Sequence, residues 1–369
     1  MMKIIIGGDL VPTDSNMKAF ETGNLETVVD EKIIDRIANV NFRIYNLEVP
    51  LSDDLFPIKK CGPNLSATEQ TITGILKLQP DLLGLANNHV MDQGCEGFRK
   101  TISLLNENGV AFCGAGENLE EAITPYIITE GETKIGVYAC AEHEFTIAGE
   151  DYPGANPYEP LVSFEHVQNL KKKCDYVIVL YHGGKEFYRY PSPKLQAVCR
   201  KFADVGADII VCQHSHCVGC HEEYHGAEIV YGQGNFIFDR ASDEFWDSGL
   251  LVEVAIDENG KSVDYIPIEK QNGKYYLANN SMILAGFFER SKKILDKDFV
   301  KENYADFCKK NAAIYYQFFH GSSFFQNILN KMNLNSFSKD DLVFIRNFIE
   351  CEAIQEMLIE AIKQETNTR

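Results

Sequence analysis

Short apolar runs rich in β-branched residues recur through the first 240 residues, separated by segments of helical periodicity. The clearest runs are "KIIIGG", "NFRIYNLE", "DLLGLANN", "VAFCGAG", "KIGVYACA", "DYVIVLYHGG", "ADIIVCQHSH" and "AEIVYGQGNF". Between them, "GCEGFRKTISLLNENG" sets Phe98, Ile102 and Leu105 at helical spacing before Gly109 stops the helix. In the same way "SPKLQAVCRKFADVG" carries Leu195, Val198, Phe202 and Val205 on one stripe. Strand alternating with helix predicts an α/β domain whose largely parallel strands are buried on both faces. From Leu250 onward the apolar runs are interrupted by "ENG" and "QNG" turns, which predicts antiparallel strands at the far edge of the same assembly.

After about Ser281 the periodicity is helical throughout, so residues 1–280 are expected to form the main domain and 281–369 a helical C-terminal region. Ser338 with Asp341 reads as a capping box, and Leu342, Ile345, Ile349, Met357 and Ile362 fall near one face beyond it. The aromatic residues of "AAIYYQFFHGSSFFQNI" read as core. This helical region is a candidate to cover a cleft, to dock a partner or to build a homo-oligomer.

The 369 residues are 45% hydrophobic, enough for a sizeable core. A formal net charge of −19 argues against wrapping nucleic acid or lying on anionic lipid. Eleven cysteines, several inside apolar runs such as Cys140 and Cys212, read as reduced and buried thiols. "MMKIIIGGD" is too short an apolar stretch for a signal peptide, and no run reaches the ~18 residues of a membrane span. The expectation is a cytoplasmic protein without a membrane span.

The chemistry concentrates where the strands end. Asp9, Asn46 with Glu48, Asn88 with His89, His182, His214 with His216, and Asn235 each close a predicted strand. In open parallel sheets the loops converge there and form the ligand crevice. Carboxylates, amide oxygens and imidazoles together suit Zn, Mn or Fe better than Ca. Asp9 as a helix cap and Asn87–Asn88 as a turn remain alternatives. On an extended segment His214 and His216 would point both rings the same way. His143, His166 and His320 stand alone and read as packing or surface residues.

One stretch, "VCQHSHCVGCHEEYH", allows a second metal arrangement. Cys217 and Cys220 have the C-x2-C spacing of a zinc knuckle, and His221 and His225 are three residues apart. Small zinc modules stabilise folds that lack a core, however, and this segment follows a core strand. The strand-end reading is therefore preferred.

Taken in order, "GGDLVPT", "NLEVPL", "LANNHVMDQG", "GAGENLEEAITP", "VIVLYHGGKE", "GADIIVCQHSHCV" and "YGQGNFIFD" resemble the CapA family of poly-gamma-glutamate capsule-synthesis proteins, over roughly residues 1–245. The resemblance implies a calcineurin-like metallophosphoesterase fold, a four-layer α-β-β-α sandwich with two divalent metal ions (Mn, Fe or Zn) at the strand ends. By that resemblance Asp9, Glu48 and His216 hold one metal, and Glu48 bridges to a second held by Asn88, His182 and His214. His89 then faces the leaving-group oxygen, with Asp92 fixing its orientation. Three positions depart from metallophosphoesterase or family patterns: Val11 stands where a histidine is usual, Glu48 where the bridging residue is Asp, and Gly183 where Trp is frequent.

The function expected is metal-dependent hydrolysis of a phosphoester or related anionic bond in a small molecule or polymer. Asn46, Asn235, Lys60 (or Lys59) and Arg189 are the candidates for gripping the substrate. The alternative is a non-catalytic accessory protein of capsule or poly-gamma-glutamate synthesis that binds an anionic polymer.

Overall fold

The structure is a computed structural model that describes residues 1–240, 243–278, 282–311 and 338–366. Two sheets carry the fold. In the first, β1 (Met2–Val11), β2 (Phe42–Leu47), β3 (Leu82–Gly84) and β4 (Ala111–Cys113) run parallel. The second contains β6 (Tyr126–Glu130), β7 (Thr133–Ala141), β9 (Tyr176–His182), β10 (Ile209–Gln213), β11 (His221–Tyr224) and β12 (Ala227–Tyr231), in the order β11-β12-β10-β9-β7-β6. β5 (Ala115–Gly116) and β8 (Gly154–Ala155) form a small pair of their own. β13 (Asn235–Phe238) returns to the first sheet and lies parallel to the end of β1. The antiparallel ribbon β14 (Ser248–Asp257), β15 (Gly260–Gln271) and β16 (Lys274–Leu277) then extends that sheet to its edge, as the turn residues predict.

The period of two along a strand explains the layering. In β9 and β10, Ile178, Leu180, Ile209 and Val211 join Ile4, Ile6 and Ile44 of the first sheet in one core between the sheets. Their neighbours Val177, Val179, Tyr181, Ile210 and Cys212 face the other way, into a second cluster. There they meet Val167 and Leu170 of α6 (Ser163–Lys171) and Leu195, Val198, Cys199 and Phe202 of α7 (Pro193–Asp204). Val205, the C-cap of α7, is partly buried and packs against the same cluster. On the opposite side α1 (Met17–Thr22), α2 (Glu31–Ala38), α3 (Ile72–Lys77) and α4 (Gly94–Glu107) bury Phe20, Ile33, Ile37, Ile75, Phe98 and Leu105. A short α5 (Leu119–Ala122) lies against β5 and β8. The result is the expected helix–sheet–sheet–helix sandwich.

"AEIVYGQGNF" is two strands, not one. β12 stops at Tyr231, and Gly232 and Gly234, with φ of 108° and 70°, carry the chain across to the first sheet. Asn235 thus begins a strand rather than ending one. The crossing requires a close approach, because a Cβ at Gly8 would stand 2.1 Å from the Gly234 carbonyl oxygen.

The C-terminal region is helical where it is described, in α8 (Met282–Lys293), α9 (Lys297–Asn311), α10 (Lys339–Glu350) and α11 (Glu352–Thr366). Ser338 and Asp341 form the capping box of α10. The predicted stripe beyond it does not hold. Cys351 adopts an extended conformation, with ψ of 118°, and separates the two helices. Of that stripe Met357 is buried, with Phe348, Ile354, Leu358 and Ala361, while Leu342 and Ile349 of α10 and Ile362 of α11 are exposed because a different face of each helix turns inward. The aromatic segment 312–328 and His320 lie outside the described residues. Among the described residues, no helix is long and apolar enough to cross a membrane.

Candidate metal centre

The two sheets meet the candidate site from opposite sides. Asp9 in β1 is flanked across the ladder by Asn46 of β2 and Asn235 of β13, and all three are buried. From the second sheet His182 ends β9 between Ala141 and Gln213 of the neighbouring strands. Glu48 follows β2, and Asn88 and His89 lie in the loop after β3. His214 and His216 come just after β10, not on it. Both take left-handed backbone, with φ of 85° and 52°, so they are not two steps of one extended segment.

That backbone sends the two rings to different places. Asp9, Glu48 and His216 bring ligand atoms within 4.8 Å of one another, and so do Glu48, His182 and His214. Glu48 belongs to both groups. His216 Nδ1 lies 3.4 Å from Asp9 Oδ2, and His182 Nε2 lies 3.4 Å from Glu48 Oε1. Asn88 joins the second group, with Oδ1 3.0 Å from His182 Nε2. The Asn87 side chain accepts from His89 N and donates to Leu47 O, so Asn87 shapes the turn while Asn88 faces the cluster.

The donor set fits cations. Asp9 Oδ2, both oxygens of Glu48 and His214 Nδ1 are buried without a hydrogen-bond partner. Leaving carboxylate oxygens and an imidazole nitrogen unpaired in the interior is costly unless positive charge sits among them. Burial, reinforced by the neighbouring Asp9 charge, pushes the Glu48 carboxyl well above its ordinary range. Burial also lowers His182 and His214 to about 4, the neutral form that ligates metals. For His216 burial opposes the charge, but the Asp9 carboxylate 3.4 Å away and the charge of Glu48 prevail and raise it to about 9.

Beside this cluster lies a histidine–carboxylate pair. His89 Nδ1 is 2.6 Å from Asp92 Oδ2, and His89 Nε2 faces Glu48 Oε1 at 3.9 Å. Asp92 also accepts from Leu65 N at 2.6 Å and forms a buried ion pair with Lys60. Burial dominates for His89 and lowers it to about 4.

The cluster opens into a cavity of about 270 Å³ lined by Lys60, Asn88, His89, His214 and His216 among others. Of the residues expected to grip substrate, Asn46 and Asn235 do not reach it. Asn46 Nδ2 donates to Asp9 Oδ1 at 2.8 Å, and Asn235 Oδ1 lies 3.0 Å from His216 Nδ1, so both stand behind the cluster. Arg189 lies elsewhere, bonded to the carbonyls of Val218 and Glu244 and stacked on Phe245. Lys60 reaches the cavity with its ammonium already engaged by Asp92 and the Asn88 carbonyl. Residues not singled out from sequence line the wall instead, including Glu144, Glu186, Arg240 and Trp246. Glu144 and Glu186 could have been found by extending the strand-end rule a few residues past β7 and β9. Trp246, stacked on His216 at 4.7 Å, carries no local signal.

The zinc-knuckle alternative is not formed. His221 Nδ1 bonds Glu228, His225 Nδ1 bonds Asp204, and Cys217 and Cys220 are buried, with burial pushing the Cys217 thiol up to about 11. His143 pairs with Glu352 and Glu159, and His166 meets the Tyr138 hydroxyl.

Two facing sheets between helices, with carboxylates and imidazoles gathered at the strand ends, make a four-layer α/β sandwich with a candidate metal centre. Residues 3–240 match the family described as bacterial capsule synthesis protein PGA_cap, and the chain belongs to that family. It is 31% identical over 249 residues to a capsule biosynthesis protein CapA of Bacillus anthracis, covering 64% of this chain and 60% of that one. It is 29% identical over 204 residues to the PGA biosynthesis protein CapA of Bacillus subtilis, covering 53% and 52%. The chain thus spans little more than half the length of these relatives. A phosphatase of Mycoplasma pneumoniae aligns in space with a TM-score of 0.44 and 13% identity, over 73% of this chain and 93% of that one.

Proposed function

We propose that the chain is a metal-dependent phosphoester hydrolase whose centre takes two divalent cations. One observation carries the reading: the buried Glu48 carboxylate, with neither oxygen hydrogen-bonded, is shared between Asp9 with His216 and His182 with His214. Asp9, Glu48 and His216 would hold the first cation, and Glu48, Asn88, His182 and His214 the second. Mn, Fe and Zn suit such a mixture of carboxylate, amide and imidazole donors. Bound there, the pair supplies Lewis-acid charge for phosphoryl oxygens and acidifies an attacking water.

The chain's own part is orientation and proton handling. Asp92 accepts from His89 Nδ1 and turns Nε2 toward the cluster. In the free protein burial keeps that ring neutral. A dianionic ester beside it raises its proton affinity, so His89 can hold a proton at Nε2 for the departing alkoxide. Asn46 and Asn235 hold Asp9 and His216 in place from behind.

The family and the names of its relatives support a substrate drawn from capsule or PGA synthesis. They also support the accessory reading, in which the cleft only binds an anionic polymer. A cavity of about 270 Å³ in a chain of net charge −19 favours a small anion over an extended polyanion. The test begins with the metal content of protein purified without chelators, beside His182→Ala. Turnover of phosphoesters by the loaded protein, lost in His89→Ala with metal retained, is the expected result. Metal-loaded protein that is inert toward every ester but binds polyglutamate would replace the hydrolase with the accessory reading.

A further inference from the structure

The residues matched to the family end at 240, yet the wall of the cleft does not. Phe344, Asn347, Phe348, Cys351, Ala353 and Ile354, from the α10–α11 pair, line the same cavity as Asn88, His89, His214 and His216. The pair is fixed against the body of the protein. Glu352 accepts from His143 N at 2.7 Å and meets His143 Nδ1 at 2.7 Å. Glu356 accepts from Ser192 Oγ and from Lys194 N, at the start of α7. Lys59, in the loop that carries Lys60, pairs with Asp340 at 2.6 Å. Cys351 Sγ lies 3.7 Å from Glu144 Oε1. These anchors reach three separate loops around the centre, so the wall is held in a set position.

Within this wall most side chains are apolar and Asn347 is polar. It is 6% exposed, lines the cavity, and its Oδ1 is buried with no hydrogen-bond partner among the described residues. An unpaired amide oxygen in an apolar wall is unfavourable, and a ligand donor that meets it as the side chain turns toward the cavity removes that penalty. Sites with such buried acceptors discriminate strongly against ligands that lack the donor.

We infer that the α10–α11 pair is the specificity wall of the centre and that Asn347 reads the substrate, accepting a hydrogen bond from an amine or hydroxyl on the part remote from the anionic group. The inference rests on the phosphoester reading for the anionic end. It assigns the substrate to small phosphorylated amines or alcohols whose carbon skeleton lies along Phe344, Phe348 and Ile354.

The test uses the full-length, metal-loaded protein and alkylphosphonates of two to four carbons, which resist hydrolysis. Each is titrated by calorimetry with and without a terminal amine or hydroxyl. At one chain length or more the donor-bearing ligand is expected to bind about tenfold tighter than its plain counterpart, and Asn347→Leu to bring the ratio within about twofold. Asn347→Asp, which keeps an acceptor oxygen, retains a preference for the amine and controls for folding. A parent protein without preference, or a preference that survives Asn347→Leu, overturns the inference. Selective binding without turnover of the matching phosphate esters removes the hydrolase and leaves Asn347 as a reader. Turnover without selectivity does the reverse, and no binding of any phosphonate overturns both.

Discussion

Asn88 donates its amide N–H to Glu144 Oε2 at 3.0 Å, and the same amide presents Oδ1 3.0 Å from His182 Nε2. Glu144 therefore sets which end of the amide faces the candidate centre. An amide can ligate a cation only through oxygen, so a carboxylate that takes the N–H is a positioning group for the second site. Glu144→Ala is expected to weaken the second cation by about 10–100-fold, and Glu144→Gln, which can still accept from Asn88, to restore most of it. Competition with a fluorescent chelator measures both. Equal affinity in Glu144→Ala and the parent would remove Glu144 from this role.

The first site should bind metal more tightly as pH rises. His216 is raised to about 9 and Glu48 stands well above the ordinary carboxyl range, so both favour their protonated forms in the metal-free protein. Ligation needs the neutral imidazole and the carboxylate, and binding must release protons. Affinity is expected to climb between pH 6 and about 9 and then level. Calorimetry in two buffers of different ionisation enthalpy at pH 7 should show net proton release, and proton uptake would contradict the assignment.

Lys60 and Asp92 form an ion pair with side chains 2% and 0% exposed. Removing one partner leaves the other charge buried and unpaired. Lys60→Met is expected to destabilise the protein by about 3 kcal/mol, read from the shift in its urea midpoint. The same change should reduce turnover, since Asp92 would lose one of the groups that hold it against His89. A variant as stable as the parent would mean that water replaces the ammonium.

The tether between His143 and Glu352 makes docking of the C-terminal helices pH-dependent. The hydrogen bond to Glu352 is the leading cause that raises His143 above its ordinary value of 6.5, against the opposing effect of burial. A base whose pKa is raised by folding contributes its stability fully below the unfolded value and loses it as pH passes the folded value. The stability gap between the parent and His143→Gln should thus be widest below 6.5 and shrink as pH rises through the raised value. Protease sensitivity of the α10–α11 pair across that range provides the local readout. A gap that widens with pH would reverse the sign and exclude the charged pair.

Much of the site was visible in the chain because polar residues interrupt apolar runs where strands end. Asp9, Glu48, Asn88, His182, His214 and His216 were singled out on that ground, and they do lie together. The residues expected to touch substrate fared differently. Asn46 and Asn235 also sit at strand termini, but as cross-strand neighbours of Asp9 their amides are taken up by Asp9 and His216. Arg189 has the right charge and lies in the wrong pocket. Charge along the chain says nothing about which wall of a cleft a long side chain will reach.

The amino-acid sequence alone determined the alternation of strand and helix, the antiparallel edge after Leu250, the capping box at Ser338 and the set of candidate ligands, since each follows from local periodicity or from residue type. The family resemblance already placed Glu48 between two groups and His214 and His216 in different ones. Only the tertiary structure decided the left-handed backbone that parts the two rings and the break at Cys351 that lets α10 and α11 wall the cleft. These depend on left-handed backbone, on two sheets packed face to face, and on contacts between residues more than two hundred positions apart. No local pattern encodes such distances, because they are set by how the layers pack.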